Sequence, residues 1–290
     1  MLKRLVTGVD GLDAGRDAAV LSRALAVGDD ADVLLCGVWQ ESLLPTSMMM
    51  SPVPHPIDEV ERMLLAVRHD CVPRQGRTRP LSGLSVARTL RRVATEEHSD
   101  LLVLGSSAKA RDGQVRVGRD ARHMLSSAPC AVAIAARGLH EVPGFAVRRI
   151  VVGVEGSREG EAALEWAASL AHGLIAELTA IAVVDEKIPA TTGTGGMELE
   201  LAHWDETVQR EEDHARRLIE RATTSGGCDH GEVVVGDPGP ELAQAAQAAD
   251  LLVIGSRRLG ALAHVAIGSA AEDLLRDAPC SLVMVPRPPA

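Results

Sequence analysis

An internal repeat constrains this chain more than any other feature of its sequence. Residues 100–130 read DLLVLGSSAKARDGQVRVGRDARHMLSSAPC and residues 250–280 read DLLVIGSRRLGALAHVAIGSAAEDLLRDAPC, with 13 identities in 31 positions and no gap. The segments that begin at Leu5 and Ile150 also align, at an offset of 145. The repeat predicts two copies of one domain in the 290 residues of the chain.

The boundary between the copies falls where regular structure is interrupted. Gly138, Pro143 and Gly144 lie between the last strand-like segment of the first copy and the first of the second. Because glycine and proline interrupt helices and strands, we place the boundary at Pro143. The predicted domains are residues 1–143 and 144–290.

Within each copy, short β-branched runs alternate with segments of helical period, which predicts an α/β domain with a parallel sheet. The predicted strands of the second domain are Arg149–Val154, Leu178–Val184, Glu232–Val235, Leu251–Ile254 and Ser281–Val285. Its predicted helices are Glu159–His172, Met197–Ala222, Pro240–Ala249 and one after Gly268. The first domain follows the same plan, with a third strand around Thr78–Leu81 and a loop over Leu44–Pro56.

Composition excludes several classes of protein. The net charge of -10, with one Phe, three Trp and no Tyr, disfavours nucleic-acid binding. The five cysteines form no C-x-x-C pair, so we expect free thiols and neither a disulfide framework nor a metal site. No apolar run is long enough to span a membrane, and the N-terminus lacks a secretory pattern. We expect a cytoplasmic protein.

Strand one of each domain ends in a small acidic turn that contains Asp10 or Glu155. Ligands of open parallel sheets bind beyond the carboxyl ends of the strands, so either carboxylate is placed to accept hydrogen bonds from a ribose or a base. An acidic residue at such a turn also serves as a helix cap. The sequence leaves both interpretations open.

Two glycine-marked turns frame the segment after strand four in each domain. Gly105 and Gly118 mark it in the first domain, and Gly255 and Gly268 in the second, where Ser269 follows. Glycines let backbone N–H groups approach a phosphate, and the start of the next helix adds partial positive charge. The alternative is a pair of ordinary tight turns.

The motifs DLLVIGS, IGS and APCSLVMVP resemble the C-terminal half of a universal stress protein domain, and the resemblance extends over the chain as a tandem pair. It implies Rossmann-like domains, each a five-stranded parallel sheet of order 3-2-1-4-5 flanked by helices. It also implies pairing through the last strand. The apolar edges of Ala131–Ala136 and Ser281–Val285 likewise predict that the halves dock through these strands about a pseudo-two-fold axis, and we expect a further homodimer. A subset of the family binds ATP through Gly, two residues, Gly, nine residues, Gly and then Ser or Thr.

That pattern transfers incompletely to both domains. In the second domain, Arg258 stands at the middle glycine and Glu155 at the position of the family's Asp. In the first domain, Ala108 and Arg119 replace the middle glycine and the Ser or Thr. The resemblance implies the following nucleotide-binding residues: Glu155, Val183, Ile254, Gly255, Arg258, Gly268 and Ser269 in the second domain, and Asp10, Val38, Gly105, Gly118 and Arg119 in the first.

These observations predict a stress-response sensor or regulator that binds ATP, with Mg²⁺ taken from solution. We expect no catalytic residues, because no general base or activated nucleophile is evident. We expect the second domain to bind ATP more tightly, since Ser269 supplies a hydroxyl where Arg119 is bulky. The alternative functions are a nucleotide-independent module that binds a partner protein and, more remotely, a nucleotide α-hydrolase.

Overall fold

The computed structural model describes residues 2–28, 31–41, 56–72, 76–125, 127–185, 197–259, 264–266 and 269–286. The first domain contains β1 (Arg4–Gly8), α1 (Asp13–Leu25), β2 (Asp32–Gln40), α2 (Pro56–Cys71), β3 (Gly76–Gly83), α3 (Val86–Glu96), β4 (Leu101–Gly105), α4 (Arg119–Leu125) and β5 (Ala131–Ala135). The second contains β6 (Arg149–Val154), α5 (Arg158–Leu174), β7 (Glu177–Val184), α6 (Met197–Thr224), β8 (His230–Val235), α7 (Pro238–Ala245), β9 (Leu251–Leu259), β10 (His264–Ala266), α8 (Ser269–Asp277) and β11 (Ser281–Pro286).

Both domains have the same sheet topology. The first sheet runs β3-β2-β1-β4-β5 and the second β8-β7-β6-β9-β11, with parallel pairing inside each. Counted within a domain, and leaving out β10, which pairs only with β9, each order is 3-2-1-4-5. The predicted fold class is therefore confirmed in both copies.

The two sheets join through their last strands. β5 and β11 pair in antiparallel fashion, with Ile134 opposite Leu282 and Val132 opposite Met284. Antiparallel pairing of equivalent strands relates the domains by an approximate two-fold axis and leaves neither strand with an open edge. One apolar cluster on each face of the sheet contains residues from both domains. The predicted docking of the two halves through these strands is confirmed.

A repeated aspartate explains part of the sequence repeat. The Oδ2 atom of Asp100 accepts hydrogen bonds from the backbone N–H groups of Lys3 and Arg4, at 2.8 and 2.9 Å. Asp250 accepts from the backbone of Arg148 and Arg149 in the same way, at 2.9 Å each. Each carboxylate therefore fixes the start of strand one beside the start of strand four.

The segment between the domains is tied to α1. Asp17 is buried, and its carboxylate accepts backbone N–H groups of Gly138 at 3.0 Å and His140 at 2.8 Å. The imidazole Nδ1 of His140 lies 2.6 Å from the same carboxylate. A buried carboxylate is stable only when hydrogen-bonded, so this contact fixes the segment against the first domain. The boundary at Pro143 stays a prediction.

The structure corrects one predicted element and shifts another. β9 continues to Leu259 instead of ending at Ile254, because Gly255 and Ser256 pair with β11 and residues 257–259 pair with β10. α7 begins at Pro238, where proline is tolerated in the first helical turn, and a 3-10 turn follows it over Ala246–Ala248. The predicted loop 44–56 lies outside the described residues except for Pro56, which begins α2.

No helix of the described ranges combines the length and apolar character that crossing a membrane requires. The five cysteines are free thiols. Burial raises the pKa of Cys36, Cys130 and Cys280 to about 12, which keeps them protonated at neutral pH.

Candidate functional site

Each domain contains a cavity at the carboxyl ends of its strands one, two and four. The cavity of the second domain has a volume of about 570 Å³ and that of the first about 310 Å³. The two occupy equivalent positions in the repeat. Because strands one and four lie side by side at the point where the strand order reverses, this is where open α/β sheets bind ligands.

Most of the residues that the sequence singles out line these cavities. In the first domain, all five do: Asp10, Val38, Gly105, Gly118 and Arg119. In the second domain, five of the seven do: Glu155, Val183, Ile254, Gly255 and Ser269.

The other two residues are placed differently. Gly268 lies outside the described residues. Arg258 belongs to β9, opposite Val265 of β10, and its predicted place in a loop is wrong because the strand continues through it. Beside α8, the wall of the second cavity is thus described from Ser269 onward.

The acidic turns are hydrogen-bonded within themselves. The Oδ1 atom of Asp10 accepts the backbone N–H groups of Leu12 at 3.0 Å and Gly15 at 3.1 Å. In the second domain, Ser157 caps α5 by accepting the N–H of Gly160 at 3.2 Å. The Ser157 hydroxyl lies 2.8 Å from Glu155 Oε1 and donates to it. Asp10 therefore organises its turn directly, whereas Glu155 acts through a serine.

Two of the marker glycines are required by helix packing. A Cβ on Gly105 would lie 2.1 Å from the carbonyl oxygen of Ala14, and one on Gly255 would lie 2.6 Å from that of Glu159. Both distances are far below a van der Waals contact, so any side chain would displace the first turn of α1 or α5. These glycines are explained by the fold without a ligand.

Gly118 has a different environment. A Cβ on it would meet no atom within 4 Å, and its backbone is not in the left-handed region. Neither packing nor backbone conformation therefore requires glycine here. Gly118 lines the cavity, so the missing side chain leaves space for a molecule to approach the backbone closely.

We call residues 106–118 the first loop. The Ser106 hydroxyl accepts the N–H of Arg116 at 2.7 Å, and the N–H of Ser107 donates to the Arg116 carbonyl at 2.8 Å. Arg137, which follows β5, donates from Nη1 to the carbonyls of Ala108 at 2.6 Å and Ala110 at 3.1 Å. Arg137 is a positioning residue that sequence reasoning missed, because it lies outside every motif.

The second loop, residues 256–268, is built differently where it is described. β9 and β10 form an antiparallel hairpin, with Leu259 opposite His264 and Arg257 opposite Ala266. Ser256, the counterpart of Ser106, is buried, and its hydroxyl has no hydrogen-bond partner among the described residues. The repeat therefore preserves the serine without preserving its contacts.

The second cavity has a wall that the sequence did not predict. Arg210, His214 and Leu218 of α6 line it at a spacing of four residues. The His214 imidazole packs so closely on Gly156 that a Cβ there would lie 2.4 Å from Nε2. In the first domain, Met63 of α2 takes this position beside Gly11. The helical spacing of residues 210, 214 and 218 is the signal that the sequence offers for this wall.

The two cavities differ in charge. Three carboxylates, those of Glu155, Asp185 and Glu211, line the second cavity together with Arg210 and His214. Asp10 and Arg119 are the charged residues that line the first, within the described ranges. No cluster of metal-binding side chains occurs in the described part of the chain. The larger cavity is thus the more acidic one.

Comparison with known proteins agrees with the architecture. The family model for the universal stress protein family matches residues 1–136 and again residues 146–286. The chain belongs to the universal stress protein family. The two matches make it a tandem member, with one family domain in each half of the sheet.

Curated relatives carry the same family name. A universal stress protein of Mycobacterium bovis is 30% identical over 156 residues, which cover 48% of this chain and 48% of the relative. One from Methanocaldococcus jannaschii is 28% identical over 145 residues, which cover 49% of this chain and 83% of the relative. The chain thus matches about half the length of the mycobacterial relative.

Solved structures show the tandem fold along the whole chain. A protein of unknown function from Pseudomonas aeruginosa superposes with a TM-score of 0.65 at 14% identity, covering 99% of this chain and 93% of that one. A universal stress protein from Archaeoglobus fulgidus gives 0.59 at 14% identity, covering 98% and 96%. At this identity the likeness establishes the fold alone.

Proposed function

We propose that this universal stress protein binds ATP in both cavities, more tightly in the second domain, and acts in the cytoplasm as a stress-response sensor or regulator. The observation that carries the proposal is the position of the cavities. Both lie at the switch point of a 3-2-1-4-5 sheet and are lined by ten of the residues that the sequence motifs singled out.

The apolar and polar ends of the second cavity suit the parts of a nucleotide. Val183, on β7, and the buried side chain of Ile254, on β9, line the end suited to a base. Ser269 begins α8, where a hydroxyl and the backbone N–H groups of the first helical turn suit an anion. The volume of about 570 Å³ lies within the usual range for small-molecule sites.

The first cavity offers a smaller version of the same arrangement. Val38 and the space beside Gly118 correspond to the base and phosphate ends, and Arg119 replaces the serine. A guanidinium makes strong hydrogen bonds to phosphate but has to be ordered first, which costs side-chain entropy. This cost and the volume of about 310 Å³ support weaker binding in the first domain.

Binding without rapid turnover is the activity that we propose. Hydrolysis needs a base or a bound metal that activates water, and the expected Mg²⁺ would arrive with the nucleotide. His214, which lines the second cavity, is exposed and packs against Gly156 at the acidic turn. Any hydrolysis should therefore be slow and incidental.

The test is a titration of the full chain with Mg·ATP by calorimetry, combined with mass spectrometry of the nucleotide released on denaturation. Two binding events of unequal affinity are expected. The double variant Gly118→Asp/Ser269→Asp should bind none, because each carboxylate repels the phosphates. Absence of binding by the folded wild-type chain would refute the proposal and favour the partner-binding module. Turnover at enzymatic rates would favour the hydrolase.

A further inference from the structure

Helix α8 lines the second cavity and also contacts the loop beside the first cavity. The first residues of α8, from Ser269 to Ala271, line the cavity of the second domain, and Leu274 lines it one turn later. The other end of α8 points toward the first domain. A helix of nine residues is about 13 Å long, so the second cavity and the interdomain contact are joined by a short rigid element.

The end of α8 holds the first loop by main-chain hydrogen bonds. The N–H of Val117 donates to the carbonyl of Leu275 at 2.9 Å. The N–H of Val115 donates to the carbonyl of Ala278 at 2.8 Å, and the N–H of Ala278 returns a bond to Val115 at 3.1 Å. Carbonyls in the last turn of a helix lack partners within the helix, so the first loop satisfies groups that α8 leaves open.

An ion pair reinforces this contact. Arg122 of α4 and Glu272 of α8 lie 2.6 Å apart, and neither residue lines either of the two cavities described above. Val117 immediately precedes Gly118, the residue whose open space faces the first cavity. A helix of the other domain thus holds the residue immediately before Gly118.

We infer that ATP bound in the second domain raises the affinity of the first domain for ATP, with α8 as the shared element. The inference rests on the proposed function and adds its regulation. A phosphate held at Ser269 restrains α8, and a restrained α8 orders the first loop before its own ligand arrives. The second ligand then has a smaller ordering cost, which is positive cooperativity, and the effect is reciprocal by linkage.

Hydrogen exchange on the full-length Gly118→Asp variant tests this directly. Its first cavity is blocked, so added Mg·ATP can enter only the second domain. We expect exchange in residues 107–117 to slow by about fivefold or more, the lower end of typical coupling. The double variant Gly118→Asp/Ser269→Asp, as the matched control, should show no such change.

The outcomes separate the two proposals. Protection confined to the second domain would overturn the coupling and leave nucleotide binding intact. Absence of protection in the wild-type chain would overturn both.

Calorimetry gives a second measure. In Ser269→Asp, the first domain should bind Mg·ATP about fivefold more weakly than it does in the wild-type chain whose second cavity is filled. Equal affinities would overturn the coupling. Ser225→Asp adds the same charge outside the cavities and should bind as the wild type does.

Discussion

The first and second loops start from one repeated sequence and differ in what supports them. The first loop pairs with the other domain, through Val115 and Ala278, whereas Val265, at the position equivalent to Val115, pairs with Arg258 of its own domain. The strands around both loops keep the same order and the same parallel pairing. Duplication has thus preserved the scaffold while the segments at the cavities have acquired different partners. Among the described residues of the two loops, those that pair with the other domain belong to the first.

The largest effect that would sharpen this comparison is loss of one binding event. Ser269→Asp should weaken ATP binding in the second domain by on the order of 100-fold, since a carboxylate would face the phosphates at a few ångströms. Gly118→Asp should do the same to the weaker event in the first domain. Calorimetry on each full-length variant distinguishes them, with Ser225→Asp as the control. If Gly118→Asp removes the tighter event, the ranking of the domains is reversed.

The second prediction separates a glycine needed for packing from one needed for a ligand. Gly105→Ala should lower the free energy of unfolding by about 1–3 kcal/mol, because its Cβ would meet the Ala14 carbonyl at 2.1 Å. Gly118→Ala should change it by less than about 0.5 kcal/mol, as for other open surface positions. Urea denaturation without nucleotide measures both. Similar destabilisation by the two substitutions would contradict the packing argument.

The third prediction compares the acidic turns. Asp10→Ala should cost about 1 kcal/mol of stability, since its carboxylate accepts two backbone N–H groups. Glu155→Ala should cost less, because Ser157 caps α5 and remains. Thermal melts with and without Mg·ATP check both variants. A reduced ATP-dependent shift would assign the carboxylate a role in binding, and an unchanged shift would restrict it to the turn.

The smallest expected difference concerns the cysteines of the shared scaffold. Cys130 and Cys280 occupy equivalent positions, and burial raises the pKa of each to about 12. Because alkylation needs an accessible thiolate, iodoacetamide at pH 8 should label both slowly in the native chain, with the half-buried Cys130 at least as fast as the buried Cys280. The urea-unfolded chain, where the thiols return to ordinary pKa values, should react much faster. Native labelling as fast as in the unfolded chain would contradict the burial of these two thiols.

The sequence predicted the parts of the fold that depend on repeated local patterns. Alternation of β-branched runs and amphipathic segments located the strands and helices, and the repeat of Asp100 at Asp250 marked equivalent strands. It did not predict the extension of β9 through Arg258. That extension depends on pairing with residues 264–266, and strand propensity does not determine which segments pair.

The sequence predicted those residues of the site that belong to its motifs. The glycine and acidic turns line the cavities, yet the sequence alone did not separate Gly105, needed for packing, from Gly118, which faces open space. Arg137 and His214 were missed because their roles depend on elements that meet only after folding. Helical spacing carried a signal for His214, whereas nothing local marks Arg137.

The pairing of β5 with β11 affects how the assembly of the two domains depends on protein concentration. Two separate copies of such a domain would assemble by mass action and come apart on dilution. Here both strands belong to one polypeptide, and the contacts of Asp17 with Gly138 and His140 shorten the free part of the connection between them. Their encounter is governed by an effective concentration that the cell's expression level does not alter. The paired sheet should therefore persist even when the protein is scarce.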